Sequence, residues 1–200
     1  MSGKNWIAAI VGGIVLFIWG FLSHMVLQLG EAGIKTIPAA TEDSMVPLLR
    51  DGLSEHGFYI FPGYDMKGHP TPEETKAWEA KYKAGPTGIL IYDPAGKPMF
   101  SPQQLLTELL ANIAGAAIVA YILSFLPGGF WRRVLVSTLF GLFSWVVLSV
   151  PYWNWYGFPS DFIAAEGFDQ VFSWFLVGLV LAKMVKPATP ARAPAGFSPV

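Results

Sequence analysis

The hydrophobic pattern of this chain is dominated by long apolar stretches separated by polar segments. The four stretches cover residues 7–29, 105–126, 131–150 and 171–185. A helix needs about 20 residues to cross the hydrocarbon core of a bilayer. The first three stretches meet that length, and the fourth meets it if its helix begins near Ser160 or Asp161, with Glu166 and Asp169 at the membrane interface. The pattern therefore predicts a mainly α membrane protein with four transmembrane helices.

A polar segment, residues 30–103, separates the first two spans and carries its own structure signals. Ser44 is a candidate N-cap for a helix that ends near His56, and Thr71 before Pro72 starts a second helix that runs to Ala84. Two short aromatic and β-branched runs are typical of strands. They cover residues 58–61 and 89–92. We expect a small α+β domain inserted between the first and second transmembrane helices.

The remaining organisation follows from these segments. The predicted units are residues 1–29 (N-terminus and first span), 30–103 (inserted domain), 104–185 (the other three spans, with an aromatic loop at 151–160) and 186–200 (an extended tail). The first apolar run is too long for a secretory signal and has no small-x-small site after it, so it is interpreted as an uncleaved anchor.

The distribution of charge predicts the orientation, although the chain as a whole is nearly neutral with 13 basic and 14 acidic residues. If each stretch crosses once, every Asp and Glu falls on the side of the inserted domain. The opposite side carries Lys4, Arg132, Arg133, Lys186 and Arg192 and no acid. Because short basic segments remain in the cytoplasm, both termini are predicted to be cytoplasmic and the inserted domain extracytoplasmic.

Several kinds of chemistry have no support in the sequence. The absence of cysteine excludes disulfides, thiolate metal sites and cysteine nucleophiles. His56 and His69 have no ligand spacing, and no hydrolase, zinc-protease or phosphate-loop motif occurs. We therefore expect no catalytic residue, no metal and no cofactor. An enzyme that uses carboxylates of the inserted domain on a lipid-linked substrate remains a third reading.

Four polar residues inside the spans are candidates for a ligand site in the outer leaflet. His24 and Gln28 lie one helical turn apart on the first span, and Glu108 and Asn112 lie one turn apart on the second. A histidine near a carboxylate suits proton transfer or ligand binding. The alternative is that these side chains only form hydrogen bonds between helices.

An aromatic cluster after the third span is a candidate docking surface for a partner or lipid. It comprises Tyr152, Trp153, Asn154, Trp155 and Tyr156. Interfacial aromatic belts have the same composition, so the alternative is a simple membrane anchor. Small residues four apart, such as Ala8 with Gly12, predict close helix packing.

Three short motifs carry a resemblance to a known group of proteins. They are residues 19–24 (Trp-Gly-Phe-Leu-Ser-His), 57–62 (Gly-Phe-Tyr-Ile-Phe-Pro) and 152–159 (Tyr-Trp-Asn-Trp-Tyr-Gly-Phe-Pro). With these motifs the chain resembles a family of bacterial four-span inner-membrane proteins with no assigned activity. The resemblance implies the bacterial cytoplasmic membrane as the location and implies no catalytic or binding residue.

Two functions follow as expectations. The leading one is a non-enzymatic accessory or scaffold subunit of a larger respiratory, photosynthetic or transport-related membrane complex, with the lipid bilayer and other subunits as partners and no nucleic acid. The alternative is a small-molecule or proton-handling membrane protein that uses the outer-leaflet polar residues. Conduction across the bilayer is disfavoured, since the cytoplasmic half of the spans has only terminal basic residues.

Overall fold

The computed structural model describes residues 2–65 and 67–186. Residues 187–200 of the predicted tail, 186–200, lie outside the described residues. Four helices are long and apolar enough to cross a membrane. These spans are Gly3–Val26, Pro102–Phe125, Phe130–Tyr156 and Ser160–Met184. The prediction of a mainly helical protein with four membrane-spanning helices is thus confirmed, including the early start of the fourth helix.

Within the described residues, the elements are seven α-helices and two strands, with short π and 3-10 turns between some of them. The helices are α1 (Gly3–Phe21), α2 (Ala39–Gly52), α3 (Pro72–Ala84), α4 (Pro102–Phe125), α5 (Phe130–Ser144), α6 (Val150–Tyr156) and α7 (Ser160–Met184). The strands are β1 (Gly57–Phe61) and β2 (Gly88–Tyr92). A π-helical turn, Leu22–Val26, extends α1, and another, Trp145–Ser149, joins α5 to α6.

The aromatic segment after α5, predicted as a loop over residues 151–160, is largely helical instead. The third span continues through Pro151 to Tyr156, and Gly157 ends it with a left-handed backbone (φ 71°). Proline lacks a backbone N–H, so it normally interrupts a helix. Here Pro151 follows the wider turn Trp145–Ser149, and turns of this kind absorb such an interruption within a helix.

Helices α1 and α7 make most of the contacts that hold the four spans together. Helix α1 contacts α4 along most of its length and also contacts α7, while α5 packs chiefly on α7. The buried core consists of Ala8, Ala9, Val119, Ala120, Leu123, Val177, Leu181 and Val185. Small residues allow this close approach, since a Cβ built on Gly13 would lie 2.5 Å from the Cα of Ile113. The predicted small-residue pairs of α1 therefore lie at helix contacts.

The beginning of α1 and the end of α7 lie side by side. The amide of Asn5 accepts a hydrogen bond of 3.1 Å from the backbone N–H of Lys186 and donates one of 3.4 Å to its carbonyl. Asn5 is 3% exposed. We call this the termini side of the bundle, and the opposite side, which carries residues 30–101, the insert side. The described ends of the chain therefore lie on one side of the bundle.

Residues 30–101 contain two helices and a two-stranded antiparallel sheet in which Tyr59 pairs with Leu90. Helix α3 has the predicted bounds, and Thr71 and Glu74 form a capping box. Ser44 is not the N-cap of α2, contrary to the prediction. That helix begins five residues earlier in the chain, after Pro38, and the Ser44 hydroxyl donates to the carbonyl of Ala40 within it.

Candidate functional site: a cavity between the first, second and fourth spans

A cavity of about 750 Å³ opens between α1, α4 and α7 in the insert-side half of the bundle. Its origin lies in α4. The buried residues of that helix all belong to its second half, from Ala116 to Ser124, whereas its first half is largely exposed. Near the middle, a Cβ on Gly115 would lie 3.6 Å from the ring of Trp174. Beyond this layer α4 and α7 separate, and α1 forms the wall between them.

The cavity has apolar walls and a group of polar side chains. The apolar and aromatic lining includes Leu16, Phe17, Trp19, Phe21, Met25, Phe100, Leu105 and Trp174. The polar lining is His24, Glu108, Asn112, Glu166, Asp169, Gln170 and Ser173. Mostly apolar pockets with a few convergent polar groups are the usual form of small-molecule sites.

Asp169 is the polar centre of this cavity. Its Oδ1 accepts a hydrogen bond of 2.8 Å from the indole Nε1 of Trp19 and another from the hydroxyl of Ser23. Its Oδ2 lies 4.0 Å from Nε2 of His24. Asp169 follows Ser160, the first residue of α7, by about 13 Å along the axis at 1.5 Å per residue. The carboxylate therefore lies well inside the helical span and is held by two neutral donors.

The other polar groups of the cavity have fewer hydrogen-bond partners than Asp169. Asn112 donates a hydrogen bond of 3.1 Å to Oε1 of Glu108, one turn away on α4. Glu166 accepts no side-chain hydrogen bond within the described ranges, 2–65 and 67–186. Gln170 accepts a hydrogen bond of 3.1 Å from the hydroxyl of Ser144 on α5. The cavity thus has unused acceptor capacity on two carboxylates.

The chain that follows the first span holds the imidazole of His24 in place. After Val26 the backbone turns through Gln28, whose φ of 54° is left-handed, into a short 3-10 turn. Gly30 then passes so close to the His24 ring that a Cβ there would overlap Nδ1. Because the helix ends before Gln28, that residue does not continue the helical face of His24.

The structure brings three of the four predicted site residues to one cavity. His24, Glu108 and Asn112 line it, and Gln28 does not. Trp19, Ser23, Glu166, Asp169 and Gln170 were not predicted as site residues. Glu166, Asp169 and Gln170 share a helix face by their spacing, which is the signal that could have found them. Within the described residues, no group of three or more His, Asp or Glu could hold a metal ion.

The aromatic cluster predicted as a docking surface packs partly against its own surroundings. The rings of Tyr152 and Phe158 stack 5.6 Å apart, and Nε1 of Trp153 donates to the hydroxyl of Ser160 at 3.0 Å. Tyr156 contacts Phe58 of β1 edge-on at 5.7 Å. Trp155, in contrast, is 78% exposed. The cluster therefore joins the third span to the sheet and leaves Trp155 as its most exposed aromatic side chain.

Comparison of the chain with protein-family models, with curated proteins and with solved structures found no match. An arrangement of partly exposed carboxylates, a histidine and aromatic rings in a largely apolar recess can bind a small amphipathic molecule, or can exchange a proton with one.

Proposed function

We propose that this chain is a multi-pass protein of the bacterial cytoplasmic membrane that binds an amphipathic small molecule in the cavity between α1, α4 and α7. The observation that carries the proposal is that α4 and α7 are separated on the insert side of Gly115 and Trp174. This separation leaves a recess of about 750 Å³ with apolar walls and acidic groups. His24, Glu108 and Asn112 of the predicted site contribute to binding, and Asp169 and Glu166 join them.

The orientation of the proposed site follows from the basic residues. The termini side carries Lys4, Arg132, Arg133 and Lys186. By the positive-inside rule, short segments rich in Lys and Arg lie in the cytoplasm, so we assign this side to the cytoplasm. Residues 30–101 then form an extracytoplasmic domain, and the cavity lies in the outer leaflet. Exposed apolar side chains at its rim, Phe21, Met25 and Phe100, give a ligand a route from the lipid phase.

The depth of the polar groups supports binding over a purely structural role. Carboxylates in membrane-spanning segments are costly unless they face water, a partner or a ligand. Hydrogen bonds between helices would account for Asp169, which joins α7 to α1. They do not account for Glu108, whose donor Asn112 is on the same helix, or for Glu166.

The test fills the cavity. In Ala111→Trp an indole replaces a small side chain of the lining, while Ile118→Trp places the same group two turns further along the same helix, outside the cavity, where Ile118 is 60% exposed. Three probes of similar bulk and different charge are used: tetraphenylphosphonium, tetraphenylborate and triphenylmethanol. Native mass spectrometry of the full chain, released from lipid nanodiscs, counts the bound molecules.

We expect at least one probe to bind the wild type at one molecule per chain, and Ala111→Trp to weaken that binding by roughly tenfold or more. Ile118→Trp should leave it unchanged. If no probe binds, or if both variants weaken binding equally, the proposal is wrong.

Because the chain has no cysteine, Ala111→Cys offers a second measurement that does not depend on a bulky substitution. Water-soluble thiol reagents should modify Ala111→Cys in intact membranes and should not modify Ile118→Cys.

A second candidate, an accessory subunit of a larger membrane complex, is favoured by α2. This helix makes at most marginal contact with the other described elements. Its side chains include an exposed Leu48 at 73% and an exposed Val46 at 39%. Together with the exposed Trp155, this surface suits a protein partner. Gentle extraction followed by native mass spectrometry should then find the chain in a hetero-complex, and a lone monomer beside other intact complexes would contradict this candidate.

A further inference from the structure

We infer that the ligand of the cavity is an organic cation with an apolar body, such as a lipophilic amine or a quaternary ammonium or phosphonium compound. This inference rests on the proposed function and adds the charge and chemical class of the ligand. Three independent properties of the cavity lead to it: the sign of its charge, the way its carboxylates are held, and the aromatic composition of its wall.

The lining of the cavity is acidic. It includes the carboxylates of Glu108, Glu166 and Asp169, and among the described residues it includes no Lys or Arg. His24 is the one lining residue able to carry a positive charge. Even with a protonated imidazole opposite Asp169, Glu108 and Glu166 have no basic side chain of their own in the lining. An anionic ligand would meet repulsion here, whereas a cation would supply the missing charge.

The hydrogen bonds to Asp169 orient this carboxylate without cancelling its charge. Both donors to Oδ1, the Trp19 indole and the Ser23 hydroxyl, are neutral groups. The donor to Glu108 is the neutral amide of Asn112. The side chain of Asp169 is 18% exposed, and a carboxylate so placed interacts with a cation more strongly than the same group in water, because the local dielectric is lower.

The wall chemistry favours an organic cation over a metal ion. Five aromatic rings line the cavity, from Phe17, Trp19, Phe21, Phe100 and Trp174. Aromatic faces attract ammonium-type cations and also accommodate apolar groups. The volume of about 750 Å³ is far larger than an inorganic ion requires, and no metal-binding group occurs within residues 2–65 and 67–186.

The experiment compares tetraphenylphosphonium with tetraphenylborate, which has nearly the same shape and the opposite charge, and with uncharged triphenylmethanol. Binding to the full chain in detergent is measured by equilibrium dialysis and native mass spectrometry. We expect tetraphenylphosphonium to bind roughly tenfold or more tightly than either of the other two. Asp169→Asn and Glu166→Gln should each remove most of that preference. The control Glu79→Gln alters an exposed carboxylate on α3, outside the cavity, and should retain it.

The outcomes separate the two proposals. Equal binding of all three probes that Ala111→Trp abolishes would contradict the charge inference and leave the binding cavity intact. Absence of binding by any probe would overturn both. A thiol-based measurement is independent of probe affinity. At Ala111→Cys, the rate with cationic trimethylammonium-ethyl methanethiosulfonate divided by the rate with the anionic sulfonatoethyl reagent should exceed the same ratio for a free thiol in solution, since a free thiolate also prefers the cation. A ratio no larger than that of the free thiol would contradict the inference.

Discussion

The indole Nε1 of Trp19 donates a hydrogen bond of 2.8 Å to Oδ1 of Asp169, which connects the first and last spans within the wall of the cavity. This contact matters for the structure as well as for the proposed site. A hydrogen bond to a charged group in a region of low dielectric contributes more than one between neutral groups. It fixes the rotation of α7 relative to α1 and so turns the carboxylate toward the cavity.

Trp19→Phe keeps an aromatic ring at this position and removes the donor. We expect it to lower the free energy of unfolding by about 1.5–3 kcal/mol, the usual contribution of a hydrogen bond to a charged group. Thermal unfolding of the detergent-solubilised chain measures the effect. The control is Trp155→Phe at a 78% exposed indole, which should change stability little. Equal effects of the two substitutions would contradict the structural role of this hydrogen bond.

The contact between α1 and α4 gives a second prediction. In Gly13→Ala the new methyl group would lie 2.5 Å from the backbone Cα of Ile113, and backbone cannot move aside as a flexible side chain can. We expect the two helices to separate and the free energy of unfolding to fall by roughly 1–3 kcal/mol. Gly20→Ala is the matched control, because no atom lies within 4 Å of a Cβ there. A Gly13→Ala variant as stable as Gly20→Ala would show that the packing differs from that described.

Much of the fold could be predicted because it depends on local sequence. Four apolar runs define the spans, and Thr71, Pro72 and Gly85 define both ends of α3 through the geometry of helix caps. The third span was harder. Pro151 and the aromatic residues after it are typical of a loop, and only the wider turn before Pro151 allows the helix to continue.

The candidate site could be predicted only in part. Helical spacing places Glu108 and Asn112 on one face, and depth places His24 in the same half of the bundle. The position of Asp169 depends instead on how α7 is rotated against α1, which is set by non-local contacts such as the one to Trp19. Gln28 lies outside the cavity for a related reason: the helix of the first span ends before it, and Gln28 itself has a left-handed backbone that redirects the chain.

The inserted segment gives a prediction about pH. The backbone N–H and the hydroxyl of Thr71 donate to Oε2 of Glu74 at 2.8 and 3.0 Å, and these bonds lower the pKa of Glu74 below its ordinary value of 4.5. A pKa that is lower in the folded state means that ionised Glu74 stabilises the start of α3 above pH 4.5. This contribution is lost as the pH falls through the folded pKa.

The measurement is an NMR titration of the Glu74 carboxyl carbon in the full chain. We expect a midpoint below 4.5 in the wild type, and a rise toward that value in Thr71→Val, which removes the hydroxyl donor. Thr75→Val, a change at a neighbouring hydroxyl that donates to the Thr71 carbonyl, should leave the midpoint in place. Identical midpoints in the wild type and Thr71→Val would mean that the Thr71 hydroxyl does not lower the pKa of Glu74.

Two adjacent arginines on the termini side provide the last prediction. Arg133 is 5% exposed, and its guanidinium donates to the carbonyls of Leu123, Ala182 and Val185, at the ends of α4 and α7. The carbonyls of Ala182 and Val185 lie at the end of α7, where a helix leaves carbonyls without intrahelical partners, and the carbonyl of Leu123 also accepts from the backbone N–H of Leu126. Arg133→Lys keeps the charge but lacks the planar fork that reaches two helices at once. We expect it to destabilise the chain by about 3 kcal/mol. Arg132→Lys should have little effect, because Arg132 is exposed and donates to the carbonyl of Pro127 in the adjacent turn, not to another helix of the described residues. Equal thermal stability of the two variants in detergent would show that the Arg133 guanidinium does not hold α4 and α7 together.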